Sequence, residues 1–156
     1  MTDAALVWLE SGGDIKVESG DLLSDDGLIT AVILSLFVDA RADVSQLPFG
    51  ENGQRGYWAD NEQDRHGSLL WLLGREKVTD EIVARAQAYA KDALMWLCDD
   101  GIAGGLDVKA SRQGIYAIGL KVQILQGNNR EYQYLWDALK NTTLTIGETT
   151  LEIEFI

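Results

Sequence analysis

The chain has 156 residues, of which 46% are hydrophobic and 24% charged, as expected of a globular protein with a real core. Its 25 acidic residues outnumber 13 basic ones, and the net charge of -12 argues against a nucleic-acid-binding protein and against docking on anionic lipid. Cys98 is the only cysteine, which excludes an internal disulfide and a cysteine-rich zinc site.

The N-terminal residues predict a β-hairpin. Ala4 to Leu9 is apolar enough for a short strand, Ser11 to Asp14 has the composition of a turn, and Ile15 and Val17 alternate with charged residues. The same segment lacks the basic start and long apolar run of a secretion signal, so we expect none.

A buried helix is predicted next. Ser24, Asp25 and Asp26 offer capping oxygens and negative charge just before a run that is apolar nearly all round, Leu28 to Val38. Such a helix is buried on most sides, either within the domain or between subunits. A buried strand is the alternative, but the length of the run favours a helix. The run is too short to cross a bilayer, which needs about 20 apolar residues, so we expect a soluble protein.

Residues 42–67 form a long polar connection that carries the only proline and the aromatic pair Tyr57 and Trp58. A loop of this length in a compact domain is normally functional or ordered by a partner. Exposed aromatic side chains would make it a docking segment. The alternative, that Trp58 only anchors the loop to the core of the chain, stays open.

Two helices are predicted after this connection. Ser68 to Glu76 reads as a short helix with an all-apolar centre, and Thr79 then caps a long helix that ends at Gly101. Two sets of apolar residues recur along it at helical spacing: Ile82, Ala86, Tyr89, Ala93 and Trp96, and Val83, Ala86, Ala90 and Leu97.

The rest of the chain has the alternation typical of β-strands. We expect strands at Leu106–Ala110, Ile118–Ile124 and Tyr132–Trp136, a turn at Gly127–Asn129, and a last strand at Leu151–Phe155. The predicted fold class is therefore α+β, with an N-terminal hairpin and helices packed on a mainly antiparallel C-terminal sheet. Residues 1–156 are predicted to form one domain.

No catalytic, cofactor-binding or metal-binding residues are predicted. His66 lies close in sequence to Asp60, Glu62 and Asp64, but a metal site needs several ligands on rigid elements, and we interpret this group as a solvated loop. No spacing selects a pair of carboxylates for glycoside cleavage from the 25 available.

The window 55–77 contains residue types enriched at protein–protein interfaces, Trp and Arg among them. Arg75 and Glu76 follow the apolar L-L-W-L-L segment, either as the solvated end of a helix or as a partly buried ion pair that fixes packing. The predicted interface or packing residues are Arg55, Tyr57, Trp58, Trp71, Arg75 and Glu76.

The sequence resembles the Mu-like phage baseplate wedge proteins, and more distantly the gene-25-type wedge proteins of larger contractile phages. The segments that carry this resemblance run in order through the first two thirds of the chain: L-I-T-A-V-I-L-S-L-F-V-D-A-R-A (28–42), R-G-Y-W-A-D (55–60), G-S-L-L-W-L-L-G-R-E-K (67–77) and Y-A-K-D-A-L-M-W-L-C-D-D-G-I-A (89–103).

The resemblance implies a non-enzymatic structural subunit of a contractile phage or prophage tail, made in the host cytoplasm and located in the virion baseplate. Its implied partners are other baseplate wedge and tail proteins, with the sheath as a further candidate through the C-terminal strands, and neither nucleic acid nor a membrane. The alternative is a tail-associated, lysozyme-like peptidoglycan hydrolase. The Glu-Pro-Arg motif of the wider family is absent, since Ala93 to Trp96 occupies the comparable place.

Overall fold

The computed structural model of this chain describes residues 3–9, 12–22, 24–25, 27–74, 76–115, 117–125, 130–137 and 142–146. Its helices are α1 (Leu28–Phe37), α2 (Asp80–Leu94) and α3 (Trp96–Asp99), with 3-10 turns at Val44–Gln46 and Leu70–Leu73. Six short strands come first: β1 (Asp3–Ala4), β2 (Leu6–Leu9), β3 (Gly12–Ile15), β4 (Val17–Glu18), β5 (Asp21–Leu22) and β6 (Ser24–Asp25). Four strands come last: β7 (Gly105–Arg112), β8 (Ala117–Leu125), β9 (Arg130–Asp137) and β10 (Thr142–Ile146).

The four last strands form one antiparallel sheet in the order β10-β9-β8-β7, so each strand pairs with its neighbour in the chain. Helix α2 packs across β7 and β8, and α1 packs on α2 and on the N-terminal strands. The α+β class is therefore confirmed. None of the helices in the described ranges is long and apolar enough to cross a membrane.

The predicted N-terminal hairpin is present as the antiparallel pair β2 and β3, with Leu6 opposite Ile15. Its turn was placed too late, because Gly12, Gly13 and Asp14 belong to β3. The predicted cap of α1 is also wrong. Ser24 and Asp25 pair with β1, and Gly27, at φ 78°, precedes the helix without a side-chain cap.

Helix α2 begins as predicted, because the Thr79 hydroxyl accepts a hydrogen bond from the Ile82 N–H at 3.3 Å. The predicted single helix to Gly101 is interrupted at Met95, which separates α2 from α3. The buried stripe also differs from the predicted ones: Ile82, Ala86, Ala90, Leu94 and Leu97 are buried, whereas Trp96 is exposed.

One continuous core joins the helices to the sheet. The buried face of α1 (Val32, Ile33 and Leu36) belongs to one cluster with the buried face of α2 and the even-numbered residues of β8 from Ile118 to Ile124. The predicted alternation in β7 and β8 is confirmed by this burial. Strand β10 was not predicted, while the predicted turn at 127–129 and the predicted strand at 151–155 lie outside the described residues.

Candidate interaction surface

The long connection after α1 is closed at its base by backbone hydrogen bonds. Asp39 and Ser68 form a parallel bridge, in which the Ser68 N–H donates to the Val38 carbonyl and the Ala40 N–H donates to the Ser68 carbonyl, each at 2.9 Å. The buried Ser68 hydroxyl donates to the Leu36 carbonyl at 2.6 Å, at the end of α1. These bonds hold the two ends of the connection together.

Gly67 makes this close approach possible. Its φ of +92° favours glycine, and a Cβ atom at this position would overlap the Val38 carbonyl group. Gly56 has a similar role, because a Cβ atom there would lie 2.6 Å from the Cβ atom of Arg41. The two glycines let the connection fold flat against the segment that follows α1.

Trp71 packs under the connection and is 7% exposed. Its indole N–H donates to the Ala40 carbonyl at 2.8 Å. Arg55 covers the outside of this ring, with its guanidinium carbon 4.4 Å from the ring centroid, and donates to Asp39 Oδ2 at 2.7 Å. Arg55 and Trp71 thus hold the base of the loop together, in part through the cation–π attraction between the guanidinium and the indole ring.

The other two aromatic residues of this window lie at the surface. Trp58 is 89% exposed and Tyr57 is partly exposed, with their ring centroids 5.5 Å apart. Tyr57 also meets the His66 ring edge-on at 5.8 Å. Trp58 therefore does not anchor the loop to the core, and the ring is available to another molecule.

The Asp60 carboxyl holds the His66 ring, which in turn contacts Tyr57. Asp60 Oδ1 accepts from the His66 ring Nδ1 at 2.7 Å and from the His66 backbone N–H at 3.2 Å. Its side chain is only 7% exposed, and Oδ2 has no hydrogen-bond partner among the described residues. The interpretation of this group as a solvated loop is therefore wrong for Asp60.

The hydrogen bonds to Asp60 also determine its charge. Burial by itself raises the pKa of the Asp60 carboxyl, but hydrogen bonds from the His66 ring and from the backbone N–H groups of His66 and Tyr57 outweigh it. Together with the attraction of the His66 ring they hold this pKa below its ordinary value. Asp60 is therefore ionised, and its hydrogen bonds to His66 hold residues 60 and 66 of the loop together.

In the described part of the chain, no three His, Cys, Asp or Glu residues are grouped so that they could hold a metal ion.

Arg75 and Glu76 are the last two residues of the predicted interface or packing set. Glu76 is exposed but lies past the 3-10 turn Leu70–Leu73, so the predicted helix Ser68–Glu76 is wrong outside that turn. Arg75 lies outside the described residues. Glu76 contributes to the electrostatics of Arg85, whose pKa is raised chiefly by the hydrogen bond to the Tyr89 hydroxyl at 3.2 Å and less by this carboxylate.

The model of the family described as Phage protein GP46 matches residues 28–131, two thirds of the chain. This chain belongs to the GP46 family. It is 41% identical over 138 residues to "Baseplate protein gp46" of Escherichia phage Mu, an alignment that covers 86% of this chain and 95% of that protein. It is 39% identical over 127 residues to "Mu-like prophage FluMu protein gp46" of Haemophilus influenzae, covering 80% of this chain and 87% of that protein. The resemblance to Mu-like baseplate proteins is thereby confirmed.

The match to the GP46 family includes α1, the whole 42–67 connection and α2, so the closed loop lies inside the family region. Within it, sequence reasoning missed the structural role of Ser68. The sequence offered a signal for it, because Ser68 stands between Gly67 and an apolar run and is therefore a candidate for burial. A buried hydroxyl needs a hydrogen-bond partner, so such a serine often joins two segments. Asp39 was also missed, although it is the first charged residue after the apolar run of α1.

Proposed function

We propose that this member of the GP46 family is a structural subunit of the baseplate wedge of a contractile phage tail. It acts by binding other proteins of the baseplate and tail, and not as an enzyme. The high identity to the Mu baseplate protein over nearly all of that protein supports this role.

The observation that carries the proposal is the combination of an exposed Trp58 with a tightly closed loop base. An exposed indole supplies a large apolar area, and tryptophan is among the residues that contribute most at protein interfaces. Ser68, Trp71 and Arg55 hold together the base of the loop that carries this ring. A closed loop base favours binding, since less backbone motion has to be lost when the loop docks.

The partners that we propose are other wedge and tail proteins. An acidic chain is suited to basic surfaces on these partners, because the net charge of -12 favours encounter with cationic proteins. The sheath is a further proposed partner, which would add a strand beside β7 or β10, the outer strands of the C-terminal sheet.

The proposal is tested by co-expression with the baseplate proteins encoded beside this chain, followed by purification of complexes. We expect a stable complex with at least one of them, weakened about tenfold or more by Trp58→Ser. Ile115→Ser, at another exposed apolar residue, is the matched control and should leave every complex intact. A chain that enters no complex, and whose loss leaves tails intact, would refute the structural role.

The non-enzymatic part of the proposal has its own test. The purified protein should not clear a suspension of peptidoglycan at high concentration. Clearing that is abolished by Glu76→Gln would instead establish the hydrolase alternative. Because Glu76 is exposed, this substitution is not expected to affect folding.

A further inference from the structure

Helix α1 has an apolar surface on its solvent side as well as on its buried side. No charged residue occurs from Leu28 to Val38. Leu34, on the outer side, is 45% exposed, and Ala31 and Val38, one turn before and after it, are partly exposed. A surface helix normally carries polar residues on this side, so the outer face of α1 requires an explanation beyond the core of the chain.

Helix α3 extends this surface. The indole N–H of Trp96 donates to the Ser35 hydroxyl at 3.0 Å, and that hydroxyl donates to the Ala31 carbonyl at 2.7 Å. This bond joins residues 61 positions apart and fixes the Trp96 ring against α1. Trp96 is nevertheless 38% exposed, and its neighbour Met95 is exposed too. We call Leu34, Met95 and Trp96 the α1–α3 face.

Carboxylates border this face. Each lies within one turn of Met95 or Trp96: the Asp92 carbonyl accepts from the Met95 N–H, the Asp99 N–H donates to the Met95 carbonyl, and the Asp100 N–H donates to the Trp96 carbonyl. All three are exposed. The Lys or Arg ion pairs found among the described residues are Arg55–Asp39 and Lys109–Asp107, and neither involves these aspartates.

We propose that the α1–α3 face is a second docking surface, which binds a segment of a different baseplate protein with apolar side chains flanked by Lys or Arg. The apolar centre would bury Leu34, Met95 and Trp96, while the basic flanks would meet Asp92, Asp99 and Asp100. A second copy of this chain is disfavoured, because two such chains, each with a net charge of -12, would repel each other and neither copy has the basic flanks in this face. The inference rests on the proposed function only in that the partner is a baseplate protein.

The experiment measures the affinity of this chain for each baseplate protein encoded beside it, at low and high salt. Two double variants probe the face: L34E/M95E places charges in its apolar centre, and D99K/D100K reverses its border. Both changes lie on exposed positions, and cations near the end of a helix are favourable, so we expect both variants to fold. I115E and E18K, at exposed positions elsewhere, are the matched controls.

The inference predicts that both double variants weaken binding to the same baseplate protein by about tenfold or more, and that the controls do not. Wild-type binding to that protein should weaken as salt rises, and D99K/D100K should lose most of this salt dependence. If L34E/M95E does not fold, the D99K/D100K variant alone decides.

Two other outcomes would overturn the inference. Complexes that respond to Trp58→Ser but to neither double variant would leave the proposed function standing and exclude the α1–α3 face. A wild-type dimer that L34E/M95E dissociates would assign the face to self-association instead. If the chain binds no baseplate protein at all, the proposed function fails and this inference fails with it.

Discussion

The indole N–H of Trp71 donates to the backbone carbonyl of Ala40 across 31 positions of sequence, at 2.8 Å and away from solvent. This bond connects the 3-10 turn Leu70–Leu73 to the segment that leaves α1, so one side chain positions both ends of the long connection. Trp71 thus belongs to the internal packing of the chain, whereas Trp58, thirteen positions before it, faces the solvent.

The first prediction concerns this bond. Trp71→Phe keeps an aromatic ring but leaves the Ala40 carbonyl buried without its donor, which should lower the free energy of unfolding by about 1–3 kcal/mol. Trp58→Phe, at the exposed ring, is the control and should change it by less than about 0.5 kcal/mol. Denaturant unfolding measures both values. Equal stability of the two variants would contradict the role assigned to Trp71.

Gly67 offers a test of the close approach at the loop base. Gly67→Ala should be destabilising, both because of its positive φ and because the added methyl group meets the Val38 carbonyl. Gly50 is the matched control, because it has φ +88° in the same connection but nothing within 4 Å of an added Cβ atom. We expect Gly67→Ala to cost about 1–3 kcal/mol more than Gly50→Ala in thermal or denaturant unfolding. A difference near zero would mean that the base relaxes freely.

The Asp60–His66 pair predicts how stability depends on pH. The pKa of Asp60 is lowered in the folded chain, so the unfolded chain binds the proton more readily. The stabilisation is therefore complete above the unfolded pKa of about 3.9 and is lost as the pH falls through the lower, folded pKa. Stability measured from neutral to acidic pH should fall less steeply below about pH 4 for Asp60→Asn than for the wild type. Parallel curves would show that Asp60 does not contribute.

The N-terminus of α2 supplies a further prediction. Thr79→Ala removes the hydroxyl that accepts from the Ile82 N–H, and should lower stability by about 1 kcal/mol. Thr79→Ser retains an oxygen at the same place and should stay close to the wild type. A drop in the melting temperature for Ala but not for Ser, followed by circular dichroism, is the expected result. If both substitutions behave alike, the cap does not stabilise the helix.

Local signals predicted the elements whose determinants lie within a few residues. The Thr79 cap and the alternation in β8 each depend on side chains and backbone of the same short segment. The Thr-rich strand β10 carried a signal of the same kind, since β-branched residues favour strands, and it was missed.

Features that depend on distant residues could not be predicted in this way. Ser24 and Asp25 have the composition of a helix cap, but pairing with β1 takes them into a strand. Trp71 and Trp96 both lie in apolar surroundings in the sequence, yet only the contact of Trp71 with Ala40 buries it, while Trp96 bonds to Ser35 and stays partly exposed. The sequence therefore singled out the window 55–77, but it could not divide the residues there between packing, as for Trp71, and exposure, as for Trp58.

The closed base of the 42–67 connection has a consequence for how binding and folding are coupled. Bringing the ends of a long loop together costs chain entropy. In this chain the Asp39–Ser68 bridge and the Trp71 hydrogen bond offset that loss of entropy when the chain folds. Substitutions at Gly67 or Trp71 would release the loop, so part of its conformational entropy would be lost only when a partner binds. Such variants should bind partners less tightly even though Trp71 is buried, so a residue's effect on assembly is not proof that it lies in the contact.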